Sequence, residues 1–232
     1  MYRSAHYVLY VNYEDFIAEI YTTAQQHKNE PVYFFSGYDC DSLAMEPMTH
    51  FAKEFIPAIN TMSNAWLELR TKSTQIRHLL DMPVAPRVVV AFSLSPQDVI
   101  DNLEHKTPSL AKRIEASVKL QRQGWHIGLR FDPILYYQDY ESAYEQMFEY
   151  VFHHLDAKQL HSVSLGTFRM PEVFFKNMTR LYPDEALFAG PLYSRNGMIS
   201  YEEELEKQVM TNSEKKLLQY IPHAKYYKCQ YD

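Results

Sequence analysis

Five short apolar runs, each followed at once by polar or charged residues, constrain the fold of this chain more than any other feature. They cover residues 31–36, 65–70, 87–93, 125–131 and 162–168. Helical patterns separate most of these runs, and strands that alternate with helices predict a parallel sheet. We therefore expect an α/β fold in which five or six parallel strands form a partial (β/α) barrel or an open sheet, with helices outside. Residues 6–12 alternate apolar and polar side chains and predict a further short strand.

Polar side chains gather where the predicted strands end. They are Ser36, Asp39, Cys40, Asp41, Arg70, Lys72, Ser93, Ser95, Arg130, Asp132, Thr167 and Arg169. Ligands of parallel β/α folds bind at the carboxyl ends of the strands. Because these ends meet at one edge of a parallel sheet, the sequence predicts a functional site on that edge.

The chain is expected to form a single domain over residues 1–232. Its 232 residues are enough for one large α/β core. The strand–helix pattern continues to about residue 182. Beyond it, a glycine-containing loop leads into an acidic helix at 200–219 and an extended tail. We therefore expect a partial barrel to about 182 and a C-terminal extension over 183–232.

Composition and motifs exclude several classes of protein. The net charge of -6 argues against a generally basic nucleic-acid binder. No apolar run approaches the roughly 18 residues of a membrane helix, and residues 1–12 do not resemble a signal peptide. Two cysteines provide no disulfide framework, so we expect a reduced, cytoplasmic setting. The sequence contains no glycine-rich phosphate loop and no typical zinc motif.

Seven segments, spread over most of residues 7–171, carry a resemblance to a known family. They are YVLYVNYEDF (7–16), PVYFFSGYDCDSLAMEPMTHF (31–51), ELRTKS (68–73), AFSLSP (91–96), LEHKTPSL (103–110), GWHIGLRFDPILYY (124–137) and SVSLGTFRMP (162–171). In order and spacing they resemble the spore photoproduct lyase family of radical S-adenosylmethionine (AdoMet) enzymes. The resemblance implies a partial six-stranded barrel of the radical AdoMet type, a [4Fe–4S] cluster that cleaves AdoMet reductively, and repair of a thymine dimer in DNA.

The sequence departs from the family at the cluster. The family holds it with a C-x-x-x-C-x-x-C motif, whereas this chain has only Cys40 and Cys229, far apart in sequence. Cluster ligation requires thiolates, so we expect that the chain as given binds no cluster and is an incomplete or catalytically inactive barrel. A truncated gene and a paralogue that has abandoned radical chemistry both remain open.

The resemblance also assigns roles to individual residues. It places Tyr38 at the position of the family's hydrogen-donating cysteine, and Cys40 follows two residues later. It matches Lys72 to a lysine that approaches the carboxylate of AdoMet, and Ser93 to a serine that contacts the cofactor. Arg130 and Asp132 alternate on their strand and so share a face. They are candidate AdoMet or substrate ligands, although structural ion pairs would give the same pattern.

The remaining candidates concern nucleic acid. Arg169, Tyr193 and Arg195 are the expected DNA-contacting residues, the last two within 184–206, where the family has a basic, aromatic hairpin. Here acidic residues outnumber Arg195 in that segment, so contact with phosphates is expected to be weak. An alternative is a non-enzymatic module that binds a nucleotide or a single-stranded nucleic acid through the strand-end face and the 19 tyrosines. No membrane association is expected, and the sequence does not fix the oligomeric state.

Overall fold

The computed structural model describes residues 8–37 and 40–229, in which strands and helices alternate. The strands are β1 (Val32–Ser36), β2 (Ala65–Thr71), β3 (Val88–Ser93), β4 (His126–Ile134), β5 (Ser162–Thr167), β6 (Arg169–Pro171), β7 (Leu192–Arg195), β8 (Met198–Tyr201) and β9 (Tyr226–Lys228). The α-helices are α1 (Tyr13–Gln26), α2 (Glu46–Thr49), α3 (Phe51–Asn60), α4 (Arg77–Leu80), α5 (Gln97–Leu103), α6 (Leu110–Gln123), α7 (Tyr140–His154), α8 (Glu172–Leu181) and α9 (Glu203–Leu217).

Six strands form one parallel sheet in the order β1-β2-β3-β4-β5-β9. The sheet curls into a half-barrel. The expected partial barrel of five or six parallel strands is therefore confirmed.

The alternation of side chains divides the sheet into an outer and a concave face. Apolar residues of the outer face, such as Leu67, Val90 and Leu129, join the main core, and helices α3, α6 and α9 pack against it. The intervening residues point into the concavity, where Glu68 of β2 meets Arg130 of β4. The concave face can therefore carry charge because the outer face supplies the core.

Helix α6 shows how the sequence fixes an element beside the site. The Ser109 side chain accepts a hydrogen bond from the backbone N–H of Lys112 and so caps the first turn. Gly124 ends the helix with φ of +101°, a conformation that glycine adopts without steric cost. Trp125 then enters the core and leads directly into β4.

The C-terminal segment contains more structure than the sequence pattern indicated. The predicted loop around Gly197 is a two-residue hairpin turn between β7 and β8, in which Asn196 and Gly197 both have positive φ. An Asn-Gly pair is the preferred sequence for such a turn. Strands β6, β8 and β7 form a small antiparallel sheet, and β9 supplies the sixth parallel strand. The division of the chain at about residue 182 stays a prediction.

The predicted strand over 6–12 was wrong where it can be checked, since residues 8–12 have no strand structure and precede α1 directly. Residues 6 and 7 lie outside the described ranges. Of the helices in those ranges, none combines the length and apolarity needed to cross a membrane.

Candidate functional site

A buried ion pair occupies the centre of the concave face. Arg130 donates from Nε and Nη2 to the two carboxylate oxygens of Glu68, with the Nε–Oε1 distance at 3.1 Å. Its Nη2 also donates to Ser162 Oγ at 2.9 Å, and its Nη1 to the Leu129 carbonyl oxygen at 3.0 Å. Arg70 contacts Glu68 Oε1 more weakly, at 3.3 Å. Every nitrogen donor group of Arg130 is thus engaged by protein atoms.

The electrostatics of this pair favour the ionised form. Burial raises the pKa of the Glu68 carboxyl, but the hydrogen bond and charge of Arg130 more than offset it and hold the pKa below its ordinary value. Losing one partner would leave the other charge buried and uncompensated, which is strongly unfavourable. The pair therefore holds two opposite charges in fixed positions within the concave face, below the carboxyl ends of the strands.

Lys72 lies immediately after β2, at the rim of the concave face. Its Nζ donates to Glu104 Oε1 at 2.6 Å, and Ser95 Oγ donates to the same oxygen at 3.0 Å. The other oxygen of Glu104 accepts from Nη2 of the fully buried Arg113 at 2.6 Å. Burial raises the pKa of Glu104, yet Lys72 and then Arg113 hold it below its ordinary value. A protein carboxylate thus already partners the predicted AdoMet-binding lysine.

Ser93 ends β3 and lies beside Arg130 in the strand register. Its carbonyl oxygen accepts a hydrogen bond from Arg113 Nη1 at 2.9 Å. Arg113 therefore ties the end of β3 to Glu104, and through it to Lys72. This network holds two predicted cofactor residues in fixed relation.

Asp132 and Arg169 form a second ion pair at the carboxyl ends of β4 and β5. Arg169 Nη2 donates to Asp132 Oδ2 at 3.2 Å. The thiol of Cys229 lies close by, and burial, followed by the Asp132 carboxylate, raises its pKa. A Cβ atom on Gly166 would lie 2.9 Å from Arg169 Nη1 and 3.0 Å from Asp132 and Cys229, so a larger residue there would require these side chains to shift. A predicted cofactor residue and a predicted DNA residue thus neutralise one another.

The loop after β1 is anchored by Asp41. Its carboxylate accepts from Thr71 Oγ1 and from the backbone N–H of Lys72, both at 2.6 Å. This places the exposed Cys40 next to the rim of β2. Tyr38, the other predicted hydrogen donor, lies outside the described residues.

The two remaining nucleic-acid candidates lie on the β7–β8 hairpin. Tyr193 is 55% exposed. Arg195 contacts Glu206 at 2.8 Å and Glu203 at 3.7 Å. Its charge is largely neutralised by α9, whereas the Tyr193 ring remains available.

Sequence reasoning missed Glu104 and Arg113 as organisers of the site. Glu104 is 32 residues from Lys72, and no local pattern reports such a contact. A charged residue on the apolar face of α6 was an available signal, since Arg113 lies three residues after Leu110 and seven before Leu120.

A [4Fe–4S] cluster does not fit the residues that the structure describes. Cys40 and Cys229 follow β1 and β9, which lie at opposite ends of the strand order. In residues 8–37 and 40–229, no group of three or more His, Cys, Asp or Glu side chains is arranged to hold a metal ion. We therefore derive no chemical step through a cluster on this chain.

Comparison with known proteins places these features in a family. The family model for spore photoproduct lyase matches residues 3–226. Spore photoproduct lyase of Bacillus subtilis (strain 168) is 29% identical over 140 residues, which are 60% of this chain and 41% of that protein. The enzyme of Geobacillus sp. (strain Y412MC61) is 27% identical over 158 residues, which are 68% of this chain and 45% of that protein. The chain thus spans less than half the length of these relatives.

Solved structures confirm the fold. A mutant spore photoproduct lyase with bound AdoMet and dinucleoside spore photoproduct superposes with a TM-score of 0.86 at 22% identity, covering 97% of this chain and 68% of that one. A complex with dinucleoside spore photoproduct gives 0.83 at 22% identity, covering 95% and 67%. Because the family model matches almost the whole length of this chain, the chain belongs to the spore photoproduct lyase family.

Proposed function

We propose that the carboxyl end of this half-barrel binds AdoMet and a thymine-dimer photoproduct of DNA, the ligand types of spore photoproduct lyase. The observation that carries the proposal is the position of Lys72 on the rim, 30% exposed and held beside the ends of β2 and β3. A solved family member contains AdoMet together with a dinucleoside photoproduct, which supports the same pair of ligands here.

In this proposal Lys72 binds the carboxylate of AdoMet. A lysine ammonium is a mobile point charge suited to that role. Without ligand, the ammonium group of Lys72 donates to Glu104. The carboxylate of AdoMet must therefore replace Glu104 as the acceptor of that hydrogen bond. Arg113 and Ser95 continue to hold Glu104 when this happens. The exchange costs little because the buried acid keeps two other donors.

Ser93 would contact the cofactor from the end of β3. Arg130 would support the site from below, because its donors are engaged by Glu68, Ser162 and Leu129. Asp132 is more accessible, with its side chain 16% exposed beside Arg169. It is the better candidate for direct contact with a ligand.

We further propose that the chain as given does not cleave AdoMet. A bound [4Fe–4S] cluster supplies the electron for reductive cleavage, and Cys40 and Cys229 do not provide its ligands. Cys40 and Tyr38 remain the proposed hydrogen donors to a product radical, since a thiol and a phenol can both give up a hydrogen atom. DNA repair by this chain would therefore require a cluster from elsewhere.

The DNA contact is proposed to be weak. Acidic partners neutralise Arg169 and Arg195, so few phosphates can be bound by free cations. Tyr193 would contribute a ring contact from the hairpin. A cytoplasmic location is part of the same proposal.

Calorimetry with AdoMet tests the site. We expect weak binding that Lys72→Ala lowers by about tenfold, the loss of one charge-assisted hydrogen bond. Lys119→Ala, which removes an exposed lysine of α6, is the matched control and should bind like the parent. Unchanged binding by Lys72→Ala would contradict the proposed role.

Anaerobic reconstitution with iron and sulfide tests the second part. We expect no stoichiometric iron and no broad visible absorbance, because three clustered thiolates are missing. A stable cluster with stoichiometric iron would contradict this.

A further inference from the structure

The amino end of the concave face carries an aromatic surface that the proposed AdoMet site does not use. We name Tyr33, Phe35, Trp66, His126 and His161 the amino-end aromatic cluster. These residues lie on β1, β2 and β4 and directly before β5. Along β2, Glu68 lies between Trp66 and the rim at Lys72, and Tyr33 pairs with Trp66, whereas Phe35 lies level with Glu68 in the strand register.

Three rings of this cluster, those of Tyr33, Phe35 and Trp66, lie in nearly parallel planes, and the two imidazoles are tilted. The Tyr33 and Trp66 rings are 5.5 Å apart with an angle of 18° between their planes. The Tyr33 and Phe35 rings are 6.5 Å apart with an angle of 25°. Phe35 is 62% exposed and Tyr33 is 42% exposed. Exposed aromatic rings of this kind are suited to stacking against a planar ligand.

Two imidazoles give the cluster polar edges. The His161 ring lies 5.4 Å from Trp66 and 5.7 Å from His126. Burial, followed by His126 and Arg130, lowers the pKa of His161 to about 4, so its ring is neutral near pH 7. His126 Nε2 bonds to the Pro86 carbonyl oxygen at 3.1 Å, and His161 Nδ1 to Ser162 Oγ at 3.1 Å. The second nitrogen of each ring can donate or accept a hydrogen bond in the ring plane.

Cations lie near the cluster. The Arg70 side chain is 32% exposed and contacts Glu68 only at 3.3 Å. Lys225 acts on His161 electrostatically. With Arg130, these cations exceed the acids Glu68 and Asp156, the latter acting on Lys225, by one charge, so this region is slightly positive in a chain of net charge -6. That balance complements a phosphate beside a stacked ring.

We propose that the amino-end aromatic cluster binds bases of a single-stranded nucleic acid by stacking. Flat rings, in-plane polar edges and adjacent cations are the combination that such binding requires. Paired bases in a duplex do not expose their faces, so single strands should be preferred. The site goes beyond the proposed AdoMet function and does not depend on it.

Tryptophan fluorescence offers a direct test. The chain has two tryptophans, Trp66 in the cluster and Trp125, which is only 2% exposed. We expect an oligothymidylate of about ten nucleotides, within the usual site size, to quench the emission of the parent protein. The quench should disappear in Trp66→Phe, because Trp125 is buried. No quench in the parent, or an equal quench in Trp66→Phe, would overturn the proposal.

Anisotropy of the same labelled oligonucleotide separates stacking from general attraction. Phe35→Leu and Tyr33→Leu should each weaken binding by about tenfold, the effect of losing one stacked ring. Tyr21→Leu, which removes a 51% exposed tyrosine of α1, is the matched control and should bind like the parent. An unchanged affinity for both cluster variants, or an equal loss in the control, would overturn the proposal.

Lys72→Ala distinguishes this site from the AdoMet site. It should lower AdoMet binding and leave oligothymidylate binding unchanged. Loss of oligothymidylate binding in Lys72→Ala would show that the oligonucleotide occupies the carboxyl end instead. A duplex of the same length that binds as tightly as the single strand would also contradict stacking.

Discussion

The two ends of the concave face differ sharply although the same strands build both. At the carboxyl end each candidate cation has an acidic partner: Lys72 has Glu104, Arg169 has Asp132 and, on the hairpin, Arg195 has Glu206. At the amino end the exposed groups are aromatic rings. A ligand at the carboxyl end must displace an acidic side chain to reach a cation. A ligand at the amino end would contact rings that are already exposed.

The Glu68–Arg130 pair separates the two ends, and breaking it should have the largest effect. Glu68→Gln leaves the Arg130 guanidinium buried without a counter-charge, so the free energy of unfolding should fall by about 3–5 kcal/mol. Denaturant unfolding measures the change. Glu115→Gln, at an exposed position of α6, should leave stability unchanged. A loss as small as that of the control would mean that the pair does not anchor the concave face.

The amino end should make stability sensitive to mild acid. The lowered pKa of His161, about 4, means that the unfolded chain binds this proton more readily. Stability should therefore fall between about pH 6.5 and pH 4, by about 1–2 kcal/mol after allowance for the partial exposure of the ring. His161→Gln should flatten this window, and His27→Gln, at an exposed position, should not.

A second acid window should belong to the carboxyl end. The pKa values of Glu68 and Glu104 are lowered, so their contribution is present above the ordinary pKa of about 4.5 and is lost below it. This loss should persist in His161→Gln. Unfolding curves measured from pH 7 to pH 3 would separate the windows, and a single step unaffected by His161→Gln would contradict the assignment.

Glu104→Gln tests whether the acid at the rim competes with AdoMet for Lys72. It removes the carboxylate that competes for Lys72, so AdoMet should bind a few-fold more tightly, an effect of about 1 kcal/mol. Stability should fall because Arg113 loses its charged partner. Calorimetry at matched folded fractions measures the affinity. Weaker binding would show that Glu104 positions Lys72 for the ligand and does not compete for it.

The smallest effect concerns salt. With Arg169 and Arg195 neutralised, binding of duplex DNA should show a log–log salt slope of only about -1 to -3. Its affinity should be no tighter than about 10⁻⁴ to 10⁻⁶ M. A filter-binding titration decides this. A steep slope with nanomolar affinity would reveal a basic surface on this face.

The strands were predictable because each is a local pattern. All five apolar runs form strands within one to three residues of the predicted bounds, and the alternation of Arg130 with Asp132 did indicate side chains on a common face. Strand β9 was missed because three residues in a polar tail carry no such pattern. The β7–β8 hairpin was missed although its Asn196-Gly197 turn is a recognised signal.

The partners of the site residues were beyond the sequence. The contact of Glu68 with Arg130 joins residues 62 apart, and that of Glu104 with Lys72 joins residues 32 apart. Charge counts could show that acids are in excess, but only the fold shows which cation each acid neutralises. The aromatic cluster was hidden for the same reason, since its members come from four separate segments.

A crystal structure of the protein with AdoMet tests the central claim most directly. We predict that the AdoMet carboxylate lies about 3 Å from Lys72 Nζ, a hydrogen-bonding distance, at the carboxyl end of the half-barrel. Glu104 should remain bonded to Arg113. AdoMet at the amino-end aromatic cluster, with Lys72 still held by Glu104, would contradict the division of the concave face into two sites.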